Sequence, residues 1–235
     1  MLPIEPWLKA LQSEEKFPFS VLPHLALFLT KQKDALRLVI SNKTAALLYP
    51  LVKISNLHFS HHPIQISTVS DTWSYFNESN LDVSTHVIIV ISRNKKISAD
   101  ILEEEIRGDY KKSGKMLGYP SCCISGYADL SNQASNWVNV LLKKSSNRVS
   151  FWCNRTASMW GGSCPSGELF PCSLTCNHAI NYGKKADKAL RDLGVHKIAD
   201  KIVEQSKIPI FINNGKIVLE EVNSAQCYKI EIINE

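Results

Sequence analysis

Apolar positions along the chain follow two spacings, and together they lay out an ordered series of elements. Leu22 to Thr30 is apolar almost throughout and predicts a helix. Ala35 to Ile40 reads as a strand, and Thr44 to Val52 as a short helix ending near Pro50. Ile64 to Val69 alternates with period two, as a half-buried strand does. His86 to Ser92 is apolar throughout and rich in β-branched residues, the pattern of a central strand covered on both faces. Three strands with helical segments between them predict a mixed or partly parallel sheet.

Beyond this layer the period changes to that of helices. Ser98 to Lys112 places Ile101, Leu102 and Ile106 on one side and crowds Asp100 and Glu103 to Glu105 into its early turns. That acidic run reads as a solvated helix face. Gly114 to Cys123 is rich in turn formers, and Asp129 to Leu142 predicts a further helix. Ser150 to Pro171 is loop-like, with Gly161 and Gly162 permitting a tight turn after Trp160. Ser173 to Leu193 predicts a helix closed by Gly194, and Asp200 to Ser206 another. Ile208 to Ile212, the Asn213-Asn214-Gly215 turn and Ile217 to Val222 spell a hairpin, after which Tyr228 to Ile233 adds a strand. The expected fold class is α/β or α+β: a mixed sheet with flanking helices, then a C-terminal cysteine-bearing helical part plus hairpin. All of 1–235 is expected to form one domain, with an N-terminal α/β layer over 1–97 and the cysteine motifs in 98–235.

Composition narrows the class. Apolar residues are 44% and charged residues 21%, ordinary globular usage that argues against a mainly disordered chain. No apolar run approaches the roughly 20 residues of a membrane-spanning helix, and Pro and Glu interrupt the start of the chain where a secretion signal would need an apolar run. A cytoplasmic protein is expected, with no membrane partner. The net charge of +5 is dispersed in pairs such as Lys111-Lys112 and Lys184-Lys185, so charge alone gives RNA contact no support. Neither a Gly-x-Ser-x-Gly elbow, a phosphate-cradling glycine loop nor His-Glu-x-x-His occurs, which leaves hydrolase and nucleotide-binding readings without footing.

The seven cysteines carry the chemistry. All lie in the second half of the chain, and an odd count in a reducing compartment weakens a disulfide framework. Two tight motifs stand out: Gly118-Tyr-Pro-Ser-Cys-Cys123 and Phe170-Pro-Cys-Ser-Leu-Thr-Cys176. Cys172 and Cys176 are four apart at an expected helix start, where they would share one face and where the positive dipole end favours thiolate. Cys122 and Cys123 follow Pro120, and adjacent side chains can converge on one bulky guest from a turn. These four, Cys122, Cys123, Cys172 and Cys176, are the expected metal ligands, for an iron–sulfur cluster in preference to zinc because a cluster accepts vicinal ligands more easily. Metal-free thiol chemistry and plain buried cysteine are the competing readings. Cys153 and Cys164 are weaker ligand candidates, Cys227 reads as packed, and His178, about 200° around an ideal helix from Cys176, reads as exposed or outside the ligand set. The adjacent pair His61-His62 is a weaker metal candidate than the cysteines. Tyr119, Asn154, Arg155 and Trp160 are the candidates for a surrounding substrate pocket, and no catalytic residue can be named.

With these motifs the chain resembles an uncharacterised prokaryotic family of unknown function. Its members carry Leu-Gly-Tyr-Pro-x-Cys-Cys after a strand and helix, a middle containing Trp and Asn, and Pro-Cys-Ser-x-x-Cys at a helix start. Leu117 to Cys123 and Pro171 to Cys176 resemble that pattern, with three residues between the second pair of cysteines here. The resemblance covers roughly Val87 to Val222 and implies no activity; it adds weight to the four cysteines. The functional expectation is a cysteine-ligated metal protein, an iron–sulfur redox or sulfur-transfer enzyme in small-molecule or modification metabolism, with a small-molecule substrate. The alternatives are a zinc-stapled module contacting RNA or a protein, and a metal-free thiol–disulfide protein.

Overall fold

The computed structural model describes residues 4–12, 19–69, 72–76, 86–131, 137–145, 148–154, 164–207, 210–213, 216–218 and 227–233. Helix α1 (Ile4–Gln12) and a one-turn helix at Phe19–Val21 lead into α2 (Leu22–Leu29), every residue of which is buried. Strand β1 (Ala35–Ser41) passes directly into α3 (Asn42–Ile54), where the Ser41 hydroxyl caps the helix by accepting from the Thr44 N–H at 3.1 Å. The helix does not end near Pro50. Burial of Leu48 and Val52 on either side of the proline holds the helix through the one hydrogen bond it cannot donate.

Strands β2 (His58–Val69), β3 (Thr72–Phe76) and β4 (His86–Ser92) complete a sheet of order β1-β4-β2-β3. Its pairings are antiparallel, with Leu38 opposite Ile89 and His62 opposite Ile88, so the partly parallel arrangement expected for these strands is replaced by an antiparallel one. The reason is the strand order: β1 and β2, joined through α3, run in the same direction, and β4 inserts between them in the opposite one. β4 lies between β1 and β2 and is covered on both faces. Val87, Ile89 and Ile91 join a core with Leu36, Leu38 and Phe28, while Ile88 and Val90 meet Ile101 and Leu102 on the other face.

That second face is covered by α4 (Lys95–Arg107), which begins earlier than its apolar stripe because the Asn94 side chain caps Lys96 and Ile97. The expected helix from Ser98 to Lys112 is split: Gly108, at a φ of 75°, closes α4, and Asp109 caps α5 (Tyr110–Met116). Helices α6 (Ser121–Ser131) and α7 (Trp137–Lys144) cover the two ends of the helix expected from Asp129 to Leu142, whose middle, 132–136, lies outside the described residues, and α6 starts eight residues earlier. Strand β5 (Arg148–Ser150) and a single turn at Phe151–Cys153 follow, then α8 (Asn177–Asp192) and α9 (His196–Ser206). Gly194 takes the left-handed conformation expected of it. Ala186, Ala189, Leu190, Ile198 and Ile202 bring α8 and α9 into the same core as α2 and β4.

The mixed sheet is the C-terminal one. Strands β6 (Ile210–Asn213) and β7 (Lys216–Val218) form the antiparallel hairpin, and β8 (Cys227–Ile233) pairs antiparallel with β6 and parallel with β5. The Asn214-Gly215 part of the turn lies outside the described residues. The class is thus mixed α/β with flanking helices and cysteines in the C-terminal half. Among the described residues no helix is long and apolar enough to cross a membrane.

Candidate metal centre

Two turns, each ending at a helix N-terminus, bring the cysteines together. The first runs from Leu117 to Pro120, whose carbonyl accepts the Cys123 and Ile124 N–H groups at 2.9 and 3.0 Å and so starts α6 with Cys122 and Cys123 in its first turn. The second, 171–176, delivers Cys172 and Cys176 to the start of α8. Cys176 is the N-cap residue, and its carbonyl accepts from Ile180 at 2.9 Å. Cys172 therefore precedes the helix. The pair converges through a turn closed by the Cys176 N–H on the Ser173 carbonyl, and not along a shared helical face as the spacing implied.

Leu174, fully buried in the middle of this turn, is its anchor. Its N–H donates to the Ser145 hydroxyl at 2.7 Å, and its carbonyl accepts from the Ser150 N–H at 2.8 Å and the Cys153 thiol at 3.4 Å. Cys153 thereby positions the cysteine turn. Its thiol is pushed well up by burial, which keeps it a proton donor. Cys164 turns instead to the Ser166 hydroxyl at 3.2 Å.

The four expected sulfurs meet. Cys122 Sγ lies 3.9 Å from Cys123 Sγ and 3.7 Å from Cys176 Sγ, and Cys123 and Cys176 are 3.9 Å apart. With Cys172 included, all four lie within 4.8 Å of one another, a group that could hold a metal ion. Cys123 and Cys176 are buried, whereas Cys122 and Cys172 are half-buried. Leu169, Ala179 and Ile180 form an apolar wall around them, and Tyr119 and Trp152 pack against it.

Charge in the site is uneven. Cys176 is held down to about 4, chiefly by the hydrogen bond it receives from the Cys123 thiol, with the Ala179 N–H and the Cys172 and Cys122 thiols helping against the opposing effect of burial. Cys123 is raised, first by giving that hydrogen bond and then by burial. Cys172 is pushed up to about 12 by burial and then by its contact with Cys176. Cys176, at the α8 N-terminus, is the sulfur most readily ionised, with the raised Cys123 and Cys172 thiols turned towards it. A cation would replace those protons, and two helix N-termini face the negative charge that four thiolates and a divalent ion would carry.

Of the pocket candidates, Tyr119 packs beside the cysteines. Asn154 is 1% exposed, and its amide donates to the Ser206 carbonyl at 2.8 Å, tying the turn after β5 to the end of α9. Arg155 and Trp160 lie outside the described residues. His178 is exposed on α8, as expected, while His61 and His62 belong to β2. Gly126, in the small-residue segment that follows Cys122 and Cys123, has a role the sequence did not assign it. A Cβ there would lie 2.7 Å from the Cys172 Cβ and 2.9 Å from its Cα, so α6 can reach the cysteine turn only with glycine at this position. The signal was the small pair Ser125-Gly126, separated from the vicinal cysteines by Ile124 alone.

A family model described as "Protein of unknown function (DUF483)" matches residues 77–200, just over half of the chain. The chain belongs to that family. The matched region of this DUF483 member contains all four clustered cysteines, together with Tyr119 and Gly126. No curated protein and no solved structure matches the chain.

Proposed function

We infer that this DUF483 protein binds one zinc ion through Cys122, Cys123, Cys172 and Cys176, and that the ion staples the start of α6 to the start of α8. The carrying observation is the sulfur spacing. Thiolates about 2.3 Å from a single tetrahedral metal stand about 3.8 Å from one another, and three of the sulfur pairs here measure 3.7 to 3.9 Å. An iron–sulfur cluster seats its cysteines on different irons around a larger body and needs a wider frame. The spacing therefore favours a single ion over the cluster that the motifs suggested.

Four thiolates leave a tetrahedral ion no open position, so the chemistry supported is that of a structural centre. Such an ion would fix Tyr119 and the 171–176 turn against the helical core, giving a rigid metal-stapled binding module. The test is elemental analysis of protein purified anaerobically under reducing conditions, followed by exchange into cobalt. One zinc per chain, and a cobalt form with the absorption of a tetrahedral tetrathiolate, support the reading. Several irons with acid-labile sulfide in a brown protein would replace it with the cluster.

A further inference from the structure

A second cluster of reactive side chains lies in the interior and is built from segments far apart in sequence. Lys33 belongs to the surface turn between α2 and β1, between exposed Gln32 and Asp34, yet its own side chain is buried. Its Nζ lies 3.2 Å from His24 Nδ1 and 4.5 Å from the centre of the Tyr119 ring, with the Tyr182 ring at 5.8 Å. Among the described residues no carboxylate forms an ion pair with it. Glu168, the acid it feels most, stands 3.9 Å from Arg37, which is held at 2.9 Å by Glu105.

The imidazole of His24 is suited to moving a proton. The Glu168 N–H donates to Nε2 at 2.9 Å, and the Ser166 carbonyl is 3.1 Å from the same nitrogen. Nδ1 faces both Lys33 Nζ and the Tyr182 hydroxyl, each at 3.2 Å. A proton on either ring nitrogen therefore finds a partner. When Nε2 accepts from Glu168, the ring proton sits at Nδ1 and is aimed at Lys33, which can accept it only as a neutral amine. The backbone is pressed against this ring by Gly167, whose φ is 61° and whose Cβ, if present, would lie 2.5 Å from the imidazole.

We propose that Lys33 is a nucleophilic amine that condenses with a small aldehyde or ketone, with His24 carrying the proton. The nitrogen lone pair attacks the carbonyl carbon. The proton released from nitrogen passes by way of His24 to the carbonyl oxygen, and loss of water leaves a C=N bond. Reactants and products balance without an oxidant or reductant. Tyr119, half-buried, lies over the amine and packs against the apolar wall of the metal centre, so this ring is what stands between Lys33 and the surface there. Burial also brings Lys33 down from 10.5 to about 7, so a large share of it is unprotonated at neutral pH.

Reductive trapping tests this directly. The full chain is treated with acetaldehyde and cyanoborohydride, and each lysine is quantified by peptide mass spectrometry against exposed Lys185 and Lys197. Lys33 is expected to be alkylated at least about 10-fold faster than either at near-neutral pH. His24→Gln should remove that advantage while leaving Lys185 unchanged, and Tyr119→Ala should increase Lys33 labelling by uncovering it. Labelling of Lys33 slower than Lys185 and Lys197 in both wild type and Tyr119→Ala, with rapid labelling only in denaturant, would overturn the proposal. Wild type and Tyr119→Ala together decide the matter even if His24→Gln fails to fold.

Discussion

Gly126 touches Cys172 across two elements that are far apart in sequence: a Cβ on the glycine would sit 2.7 Å from the cysteine Cβ and 2.9 Å from its Cα. The close neighbour is backbone as well as side chain, so it cannot swing aside. Gly126→Ala must push α6 and the 171–176 turn apart, although alanine is the better helix former by about 1 kcal/mol. We expect metal affinity to fall at least about 10-fold with helix content unchanged by circular dichroism. Wild-type affinity in this variant would mean that Cys172 is not held by the ion.

Metal binding should depend steeply on pH. Cys176 is already a thiolate near neutrality, but Cys123 and Cys172 are both raised and each must lose a proton to the incoming cation. At least two protons are therefore released, and affinity should weaken roughly 100-fold per pH unit as pH falls. Calorimetric titration in buffers of different ionisation enthalpy counts those protons. A value below two would contradict the distribution of charge among the thiols.

Lys33 gives folding stability its own pH dependence. The unfolded chain holds this proton up to about pH 10.5, whereas the folded chain gives it up near 7. Between those limits the unfolded state binds more protons, so stability rises with pH by up to about 1.4 kcal/mol per unit from this group. Urea unfolding of wild type and Lys33→Met at about pH 7 and 9 isolates the effect. The difference between them should change by roughly 2 to 3 kcal/mol in favour of wild type at the higher pH. Parallel stability curves would show Lys33 to be an ordinary solvated amine.

Glu105 is 5% exposed at its side chain and holds Arg37 at 2.9 Å beneath α4. Glu105→Ala leaves a largely buried guanidinium whose next acid among the described ion pairs is Glu168 at 3.9 Å. A loss of about 3 kcal/mol is expected in chemical denaturation, with metal content unaffected. A loss below about 1 kcal/mol would place the pair in effective contact with water.

The parts of this molecule legible in the sequence are those written in contiguous residues. His86 to Ser92 announced a strand buried on both faces because each of its faces meets a core of its own. The four cysteines were legible as a set because vicinal and near-vicinal thiols are hard to explain singly. Strand direction was not legible, since β1, β2 and β4 look alike whether β1 and β2 pair with each other or with β4 inserted between them. The approach of Cys172 to Cys176 was misread because Ser173 and Thr175 are compatible with helix and turn alike. Lys33 could not be seen at all: in Lys31-Gln32-Lys33-Asp34 it resembles a surface turn, and its partners lie at 24, 119 and 182.

X-ray absorption at the edge of the metal that co-purifies with the chain bears most directly on the centre itself. The account predicts a zinc edge with four sulfur neighbours at about 2.3 Å and no second metal nearby. Metal–metal scattering, or nitrogen and oxygen neighbours in place of sulfur from Cys122, Cys123, Cys172 and Cys176, would contradict it.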